Sequence, residues 1–185
     1  MDITLRKFSE ADVPLKVRWI NDPRNNRFLH YDLPLVEDAT LAWFRRIQDS
    51  DSRLDLTIEL DDMPVGIIGL LGIDRKNGSA ELYITIGEPE CKGKGIAGKA
   101  MEQLLRIGFG MGLNRIFLKT ETENLGAVRA YEKFGFVREG CLRNELRTPN
   151  GYASRYLYAI LKEEFEERYG TIDQNTNPLS GAVSG

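Results

Sequence analysis

The chain has 185 residues, of which 42% are hydrophobic and 9% aromatic, and its formal net charge is −3 at pH 7. This length and composition predict one globular domain, over residues 1–168, with a core of its own. The acidic balance argues against a nucleic-acid-binding surface, which needs a basic patch. No apolar run approaches the roughly 18 residues of a membrane span, and the N-terminus lacks the apolar region of a signal peptide, so we expect a cytoplasmic protein that does not insert into membranes.

Residue types that build metal and nucleophile sites are scarce. Cys91 and Cys141 stand far apart and resemble neither a disulfide framework nor a zinc ligand set. The single histidine, His30, stands in the loop-like segment NNRFLHYDLP, where we expect a partly exposed side chain. We therefore predict no metal site and no Ser-His-Asp triad.

The first half of the chain predicts the order β-α-α-β-β-β. Residues 3–8 alternate apolar and polar side chains and predict a strand. Ser9 precedes Asp12 at the spacing of a helix cap, so a helix should follow and end just before Pro23. A second helix is expected at residues 37–49. Three strands joined by turns should then occupy residues 54–61, 64–74 and 80–86.

The second half predicts helices and strands in alternation, followed by a hairpin. A helix should follow the glycine-rich residues 91–100, and a strand is expected at residues 115–121. The next helix should run over residues 124–134 and end at Gly135. The hairpin strands are expected at residues 136–147 and 152–162. Residues 169–185 are mostly polar and small, and we expect a disordered tail there.

Residues 91–100, CKGKGIAGKA, fit three phosphate-binding signatures. All three place unpaired backbone N–H groups and a helix N-terminus against an anion. Gly93, Gly95 and Gly98 spell the dinucleotide signature G-x-G-x-x-G, but several residues separate them from the preceding strand. Residues 93–99 spell a P-loop as far as Lys99, but Ala100 lacks the hydroxyl that binds magnesium.

The third signature is the Q/R-x-x-G-x-G/A loop of acyl-coenzyme A transferases, which Lys92, Gly95 and Ala97 nearly match. It has support further along, in ENLGAVRAYEKFGF, where Asn124 and Tyr131 fall on one helix face with Ala127 between them. Together the two segments resemble the GCN5-related N-acetyltransferase (GNAT) family.

The resemblance implies an α/β (α+β) fold. Its single mixed, mostly antiparallel central sheet should have about seven strands, of which the fourth and fifth splay apart. The four helices predicted above should flank this sheet.

The resemblance also implies acetyl-CoA as co-substrate and a role for each matched residue. The backbone of Thr85, Ile86 and Gly87 would bind the pantetheine arm, whose far end Asn124 would hold. Tyr131 would protonate the departing thiolate. The loop residues that would cradle the pyrophosphate are Lys92, Gly93, Lys94, Gly95, Ile96, Ala97 and Gly98. Lys92 departs from the usual Gln or Arg, but a cation suits a phosphate.

The general base is open at this stage. Ribosomal-protein acetyltransferases of the family often carry a Glu where this chain has Lys119, which cannot act as a base. We expect Glu81, on the fourth strand, to take the role, as it does in other branches of the family. Its rivals are Glu121 on the fifth strand and a chain of water molecules.

The acceptor is expected to be a small-molecule amine. The W-x-N-x-P-x-x-N-x-F opening at residues 19–28 is like that of two branches, which acetylate ribosomal proteins and polyamines or amino sugars. The alternatives are the N-terminal α-amine of a ribosomal protein and a non-catalytic acyl-CoA-binding module. A nucleotide-dependent transferase would follow from the P-loop interpretation. The bare edge of the last hairpin would suit a homodimer.

Overall fold

The computed structural model describes residues 2–172, which form seven strands and six α-helices. The strands are β1 Ile3–Lys7, β2 Arg53–Leu60, β3 Met63–Asp74, β4 Ser79–Ile86, β5 Arg115–Glu121, β6 Val137–Thr148 and β7 Gly151–Leu161. The helices are α1 Val13–Asn21, α2 Pro23–Asn26, α3 Glu37–Ile47, α4 Ile96–Gly110, α5 Leu125–Phe134 and α6 Lys162–Tyr169.

The strands form one sheet in the order β1-β2-β3-β4-β5-β7-β6. Every neighbouring pair is antiparallel except β4 and β5, which are parallel. The β4–β5 pairing is confined to Ser79, Ala80 and Glu81 on β4, so the two strands diverge from Glu81 onward. The predicted mixed sheet with splayed fourth and fifth strands is confirmed.

Both faces of the sheet are covered. The strand side chains on one face of the sheet pack against α4 in the larger core, which includes Leu70, Leu104 and Ile116. The strand side chains on the opposite face pack against α1 and α3 in a smaller cluster, which includes Trp19 and Ile67. The period of two along each strand therefore sorts the side chains between two layers of helices.

Two helices were not predicted, so the expected number of four is wrong. One is the single turn α2, and the other is α6, which follows β7 directly. The sequence of α6, KEEFEERY, is mostly charged, and it is held by two aromatic residues at i, i+4 spacing. Phe165 is fully buried, and Tyr169 stacks on Phe134 with ring centroids 4.8 Å apart.

The packed chain extends beyond the predicted domain boundary at residue 168. Tyr169 donates a hydrogen bond to the carbonyl of Phe134 at 2.7 Å, and Ile172 is buried in the larger core. The predicted disordered tail is therefore wrong for residues 169–172, because these side chains close the core beneath α4. Its remainder, residues 173–185, lies outside the described residues.

Candidate active site

A wedge-shaped gap lies between β4 and β5. It opens beyond Glu81, which faces Phe117 in the last paired position, and widens toward the carboxyl ends of the two strands. Strand residues alternate the direction of their backbone groups, so every second residue of β4 turns its N–H and C=O into this gap. The gap therefore offers an unpaired strand edge within the sheet.

Because of this alternation, the three residues predicted to bind pantetheine through their backbone do not all face the gap. Gly87 donates its N–H to the carbonyl of Val65 at 2.8 Å, and its own carbonyl accepts from Asn25 Nδ2 at 2.7 Å. Thr85 has the same parity and faces β3, whereas Ile86 has the opposite parity and faces the gap. Of the three residues predicted to bind the pantetheine arm, Ile86 therefore turns its backbone groups into the gap. Gly87 donates its N–H to β3 and Thr85 faces β3, which does not favour the contacts predicted for them.

The glycine-rich segment forms a cradle at the N-terminus of α4. Gly93 and Gly95 have φ of 74° and 80°, which favour glycine, and Gly95 is the N-cap of the helix. Over residues 93–98, no backbone N–H donates to any residue of the described chain; the first to do so is that of Lys99, to Gly95. A Cβ added at Gly93, Gly95 or Gly98 would meet no other atom within 4 Å. The cradle therefore presents unpaired donors around open space, as a pyrophosphate requires.

The lysines of this segment are placed differently from one another. Lys94 is exposed within the cradle. Lys92 donates from Nζ to the carbonyl of Arg24 at 3.0 Å, and its desolvation lowers its pKa. Lys92 therefore ties the loop to α2 as well as adding a positive charge near the cradle.

A clamp from α1 and α2, which sequence reasoning missed, holds the end of β4. Trp19 donates from Nε1 to Glu88 Oε1 at 2.8 Å, and Arg18 pairs with the same carboxylate. Asn25 Nδ2 bridges the carbonyls of Trp19 and Gly87 at 2.9 and 2.7 Å. Residues of the Trp19–Phe28 motif therefore fix the position of the chain where the cradle begins. The motif has this structural role in the fold.

Gly87 lies directly against the Trp19 indole, and a Cβ there would be 2.2 Å from two ring carbons. We expect Gly87→Ala to lower the free energy of unfolding by about 1–3 kcal/mol, because the buried ring must shift. Urea denaturation would measure the loss. Gly140→Ala is the control, since its Cβ meets nothing within 4 Å. Equal midpoints for the two variants would contradict the close contact.

Asn124 and Tyr131 lie on α5, which follows β5. Asn124 is the N-cap, with its Oδ1 accepting from the N–H of Ala127 at 3.2 Å, and its Nδ2 donates to no residue within 2–172. Tyr131 packs edge-on against Phe136 at 5.9 Å, and its hydroxyl bonds to no residue within the described range. Burial raises the pKa of Tyr131 to about 12, so the phenol stays protonated at neutral pH.

Tyr131 and Glu81 lie at the same level of the sheet but on opposite faces. The Tyr131 ring is 6.3 Å from that of Tyr158, which is paired with Leu118, the residue after Phe117. Tyr131 packs with the α4-side core, as do Ala80 and Leu82, so the intervening Glu81 points to the opposite face. Both polar side chains are therefore placed near the narrow end of the gap.

Glu121, the rival base, lies at the wide end of the gap. It is four residues beyond Phe117, or about 13 Å along the strand at roughly 3.3 Å per residue. Its side chain is 10% exposed, and His30 Nε2 is 2.9 Å from its Oε1. This contact lacks hydrogen-bond geometry, and Oε1 has no hydrogen-bond partner in the part of the chain that the structure describes. His30 belongs to the α2–α3 loop, as predicted, but sequence reasoning missed its approach to Glu121.

Within residues 2–172, no helix is both long and apolar enough to cross a bilayer. Over the same residues, no three side chains of metal-binding type come together as a ligand set.

Comparison with known proteins places this geometry in a family. Residues 2–137 match the model of the acetyltransferase (GNAT) domain. The chain is 28% identical over 172 residues to the spermidine N(1)-acetyltransferase of Vibrio cholerae serotype O1. The aligned region covers 90% of this chain and 96% of that relative.

Two solved structures of the Vibrio cholerae spermidine N-acetyltransferase share the fold. The complex with CoA and spermine has a TM-score of 0.82 at 26% identity, covering 88% of this chain and 97% of that one. A dodecameric structure in an intermediate state has a TM-score of 0.78 at 27% identity, covering 90% and 98%. The family match over most of the chain confirms the resemblance. The chain belongs to the acetyltransferase (GNAT) family, and it is an acetyl-CoA-dependent N-acetyltransferase.

Proposed function

We propose that the chain transfers the acetyl group directly to the primary amine of a small molecule, with Glu81 as general base and Tyr131 as general acid. The supporting observation is that these two side chains lie at one level of the β4–β5 gap and on opposite faces of the sheet. An amine can then approach from the α1–α3 side while the sulfur departs on the α5 side. The cradle at residues 93–98 and the Nδ2 of Asn124 would hold the coenzyme.

In the proposed reaction, Glu81 accepts a proton from the ammonium of the acceptor, directly or through a water molecule. The nitrogen lone pair attacks the carbonyl carbon of the acetyl thioester, the carbon–sulfur bond breaks, and the nitrogen releases its second proton to solvent as the amide forms. Glu81 then returns its own proton to solvent. Tyr131 donates its phenolic proton to the thiolate and recovers a proton from solvent.

The two proton transfers differ in difficulty. An alkylammonium has a pKa near 10.4, so exposing its lone pair at pH 7 costs about 4–5 kcal/mol. A thiolate with a pKa near 8.5 needs only about 2 kcal/mol of help. The base should therefore contribute more to the rate than the acid.

Tyr131→Phe should lower kcat about 30-fold, the equivalent of about 2 kcal/mol, because the thiolate must leave unprotonated. The KM for acetyl-CoA should change little. Since burial raises the pKa of Tyr131 to about 12, wild-type kcat should not fall between about pH 8 and pH 10 through loss of this acid. Amine-dependent thiol release measures both quantities. A wild-type kcat in the variant would remove Tyr131 from the mechanism.

The acceptor can be tested with a small panel in the same assay. Spermidine is the acceptor in the relatives' names, and an amino sugar is the second small-molecule class that the Trp19–Phe28 motif suggests. We expect amine-dependent release with at least one small primary amine. Release with an alanine-terminated ribosomal peptide and with no small molecule would favour N-terminal acetylation instead. Tight coenzyme A binding without release by any amine would favour a binding module.

We also propose that the chain forms a homodimer through the β6 edge. β6 is the last strand of the sheet, and Val137 at its start is 52% exposed. An unpaired strand edge is a ready site for pairing with a second copy. Light scattering after size exclusion should then give twice the chain mass of 21.0 kDa. A mass of one chain at micromolar concentration would contradict the dimer.

A cytoplasmic location is proposed on the chemistry of the cysteines. Cys91 is half-buried and Cys141 exposed, and both are free thiols. Free thiols persist in a reducing compartment. Fractionation of cells that express a tagged chain would test this, and recovery outside the cytoplasm would contradict it.

A further inference from the structure

A cavity of about 500 Å³ lies on the face of the sheet that carries Glu81. Its floor includes Leu71 of β3 and Tyr83 of β4, and α1, α3 and the loop between them form its walls. Leu71 is paired with Glu81, and Tyr83 follows Glu81 by two residues on the same face of β4. An amine held at Glu81 would therefore extend the rest of its molecule into this cavity.

Lys16 supplies an unusual charge to the cavity wall. The residue is 6% exposed, and its Nζ lies 3.4 Å from the centroid of the Trp43 ring. Nζ forms no ion pair or hydrogen bond with any residue of the described chain. Burial lowers the pKa of Lys16 to about 8, which leaves the amine mainly protonated at pH 7. A buried ammonium with no bonded anionic partner is costly, and the rings of Phe8, Tyr31 and Trp43 within about 6 Å offset only part of that cost.

Among the described residues, the acidic groups around the cavity form no ion pair with Lys16, although the Asp55 carboxylate partly opposes the fall in the pKa of Lys16. Asp55 accepts from Arg53 Nε and Nη2 at 2.6 and 2.7 Å, and from the hydroxyl of Tyr83 at 2.6 Å. Its carboxylate is therefore already committed to the Arg53 guanidinium. Asp32, an exposed residue of the α2–α3 loop, lines the cavity but forms no ion pair with Lys16. One positive charge in the cavity remains without a partner.

We propose that the acceptor carries an anionic group, a carboxylate or a phosphate, at the end remote from its amine, and that this group pairs with Lys16 in the cavity. This inference rests on the proposed function, because it places the reacting amine at Glu81. The apolar walls, with Trp43 and Leu35 among them, suit an uncharged body between the two ends. A second ammonium at the remote end would instead meet the Lys16 ammonium, and like charges repel.

Three amines of equal length test the charge of the remote end. They are 6-aminohexanoate, hexylamine and 1,6-diaminohexane, whose remote ends are anionic, neutral and cationic. We expect the wild-type kcat/KM to be highest for 6-aminohexanoate, by about 10- to 100-fold over hexylamine, and lowest for the diamine. Lys16→Met should reduce the ratio of the first two amines to about one, whereas Lys16→Arg should keep it above one.

Lys76→Met is the matched control, because it removes an exposed lysine from the β3–β4 turn and should leave the ratio unchanged. The proposal is overturned if the wild type prefers the diamine, or if Lys16→Met, folded by circular dichroism, keeps the wild-type ratio. If no amine is acetylated, the proposed function fails, and calorimetry with hexanoate decides on the cavity. Binding that Lys16→Met abolishes would then support the anion site, and no binding to the wild type would overturn it.

Discussion

Glu81→Gln should lower kcat/KM for a primary amine about 1000-fold at pH 7. The amide keeps the shape of the side chain but cannot take the proton, so most of the roughly 4–5 kcal/mol needed to expose the lone pair is left to solution. Because a rising pH supplies the free amine directly, the deficit should shrink toward the pKa of the acceptor, near about 10.4. Measuring kcat/KM from pH 6.5 to about pH 10 would show this convergence.

Glu121→Gln is the control for this prediction, because it changes the rival carboxylate in the same isosteric way. Glu121 lies at the wide end of the gap and contacts His30, so its variant should lose less than about tenfold. The opposite ranking of the two variants would move the base to Glu121. A Glu81→Gln variant with an unchanged pH profile would remove Glu81 from the mechanism.

Gly98→Asp should weaken the binding of coenzyme A at least about 100-fold while it stabilises the fold. Gly98 is in the first turn of α4, and a Cβ there meets nothing within 4 Å. A carboxylate at this position interacts favourably with the helix N-terminus and replaces a glycine within a helix, which together add about 0.5–1 kcal/mol of stability. The same carboxylate would fill the cradle and repel a pyrophosphate.

Gly98→Asn separates the charge from the size of the new side chain. The amide has the volume of the carboxylate without its charge, so it should weaken coenzyme A binding less, and the difference between the two variants should diminish in high salt. Calorimetry and thermal unfolding measure the two effects independently. Wild-type affinity in Gly98→Asp would place the pyrophosphate elsewhere.

Most of the fold was predictable because its signals are local. The alternation in residues 80–86 sets both the strand and the face of Glu81, and Gly135 ends α5 as predicted, with φ of 119°. The missed helix α6 shows the limit of such signals. Its composition is that of a solvated segment, and its stability comes from Phe165 and Tyr169 packing on residues distant in sequence.

The candidate site was predictable where a motif forms the geometry with its own backbone, as in the cradle at residues 93–98. It was not predictable where a contact depends on the pairing of distant segments. The N–H of Gly87 donates to Val65, and the Glu121–His30 contact joins residues far apart in the chain. Lys16 has no sequence signal, since its burial is created by α3 and the sheet together.

In the proposed function, residues 91–100 cradle the pyrophosphate of coenzyme A and not another phosphate ligand. Calorimetric titration of the wild type with acetyl-CoA, coenzyme A and Mg-ATP, in parallel, distinguishes these ligands. We predict that both coenzyme A species bind with micromolar dissociation constants and that Mg-ATP gives no binding heat. Binding of Mg-ATP without binding of coenzyme A would contradict the cradle, and the role given to Tyr131 would fall with it.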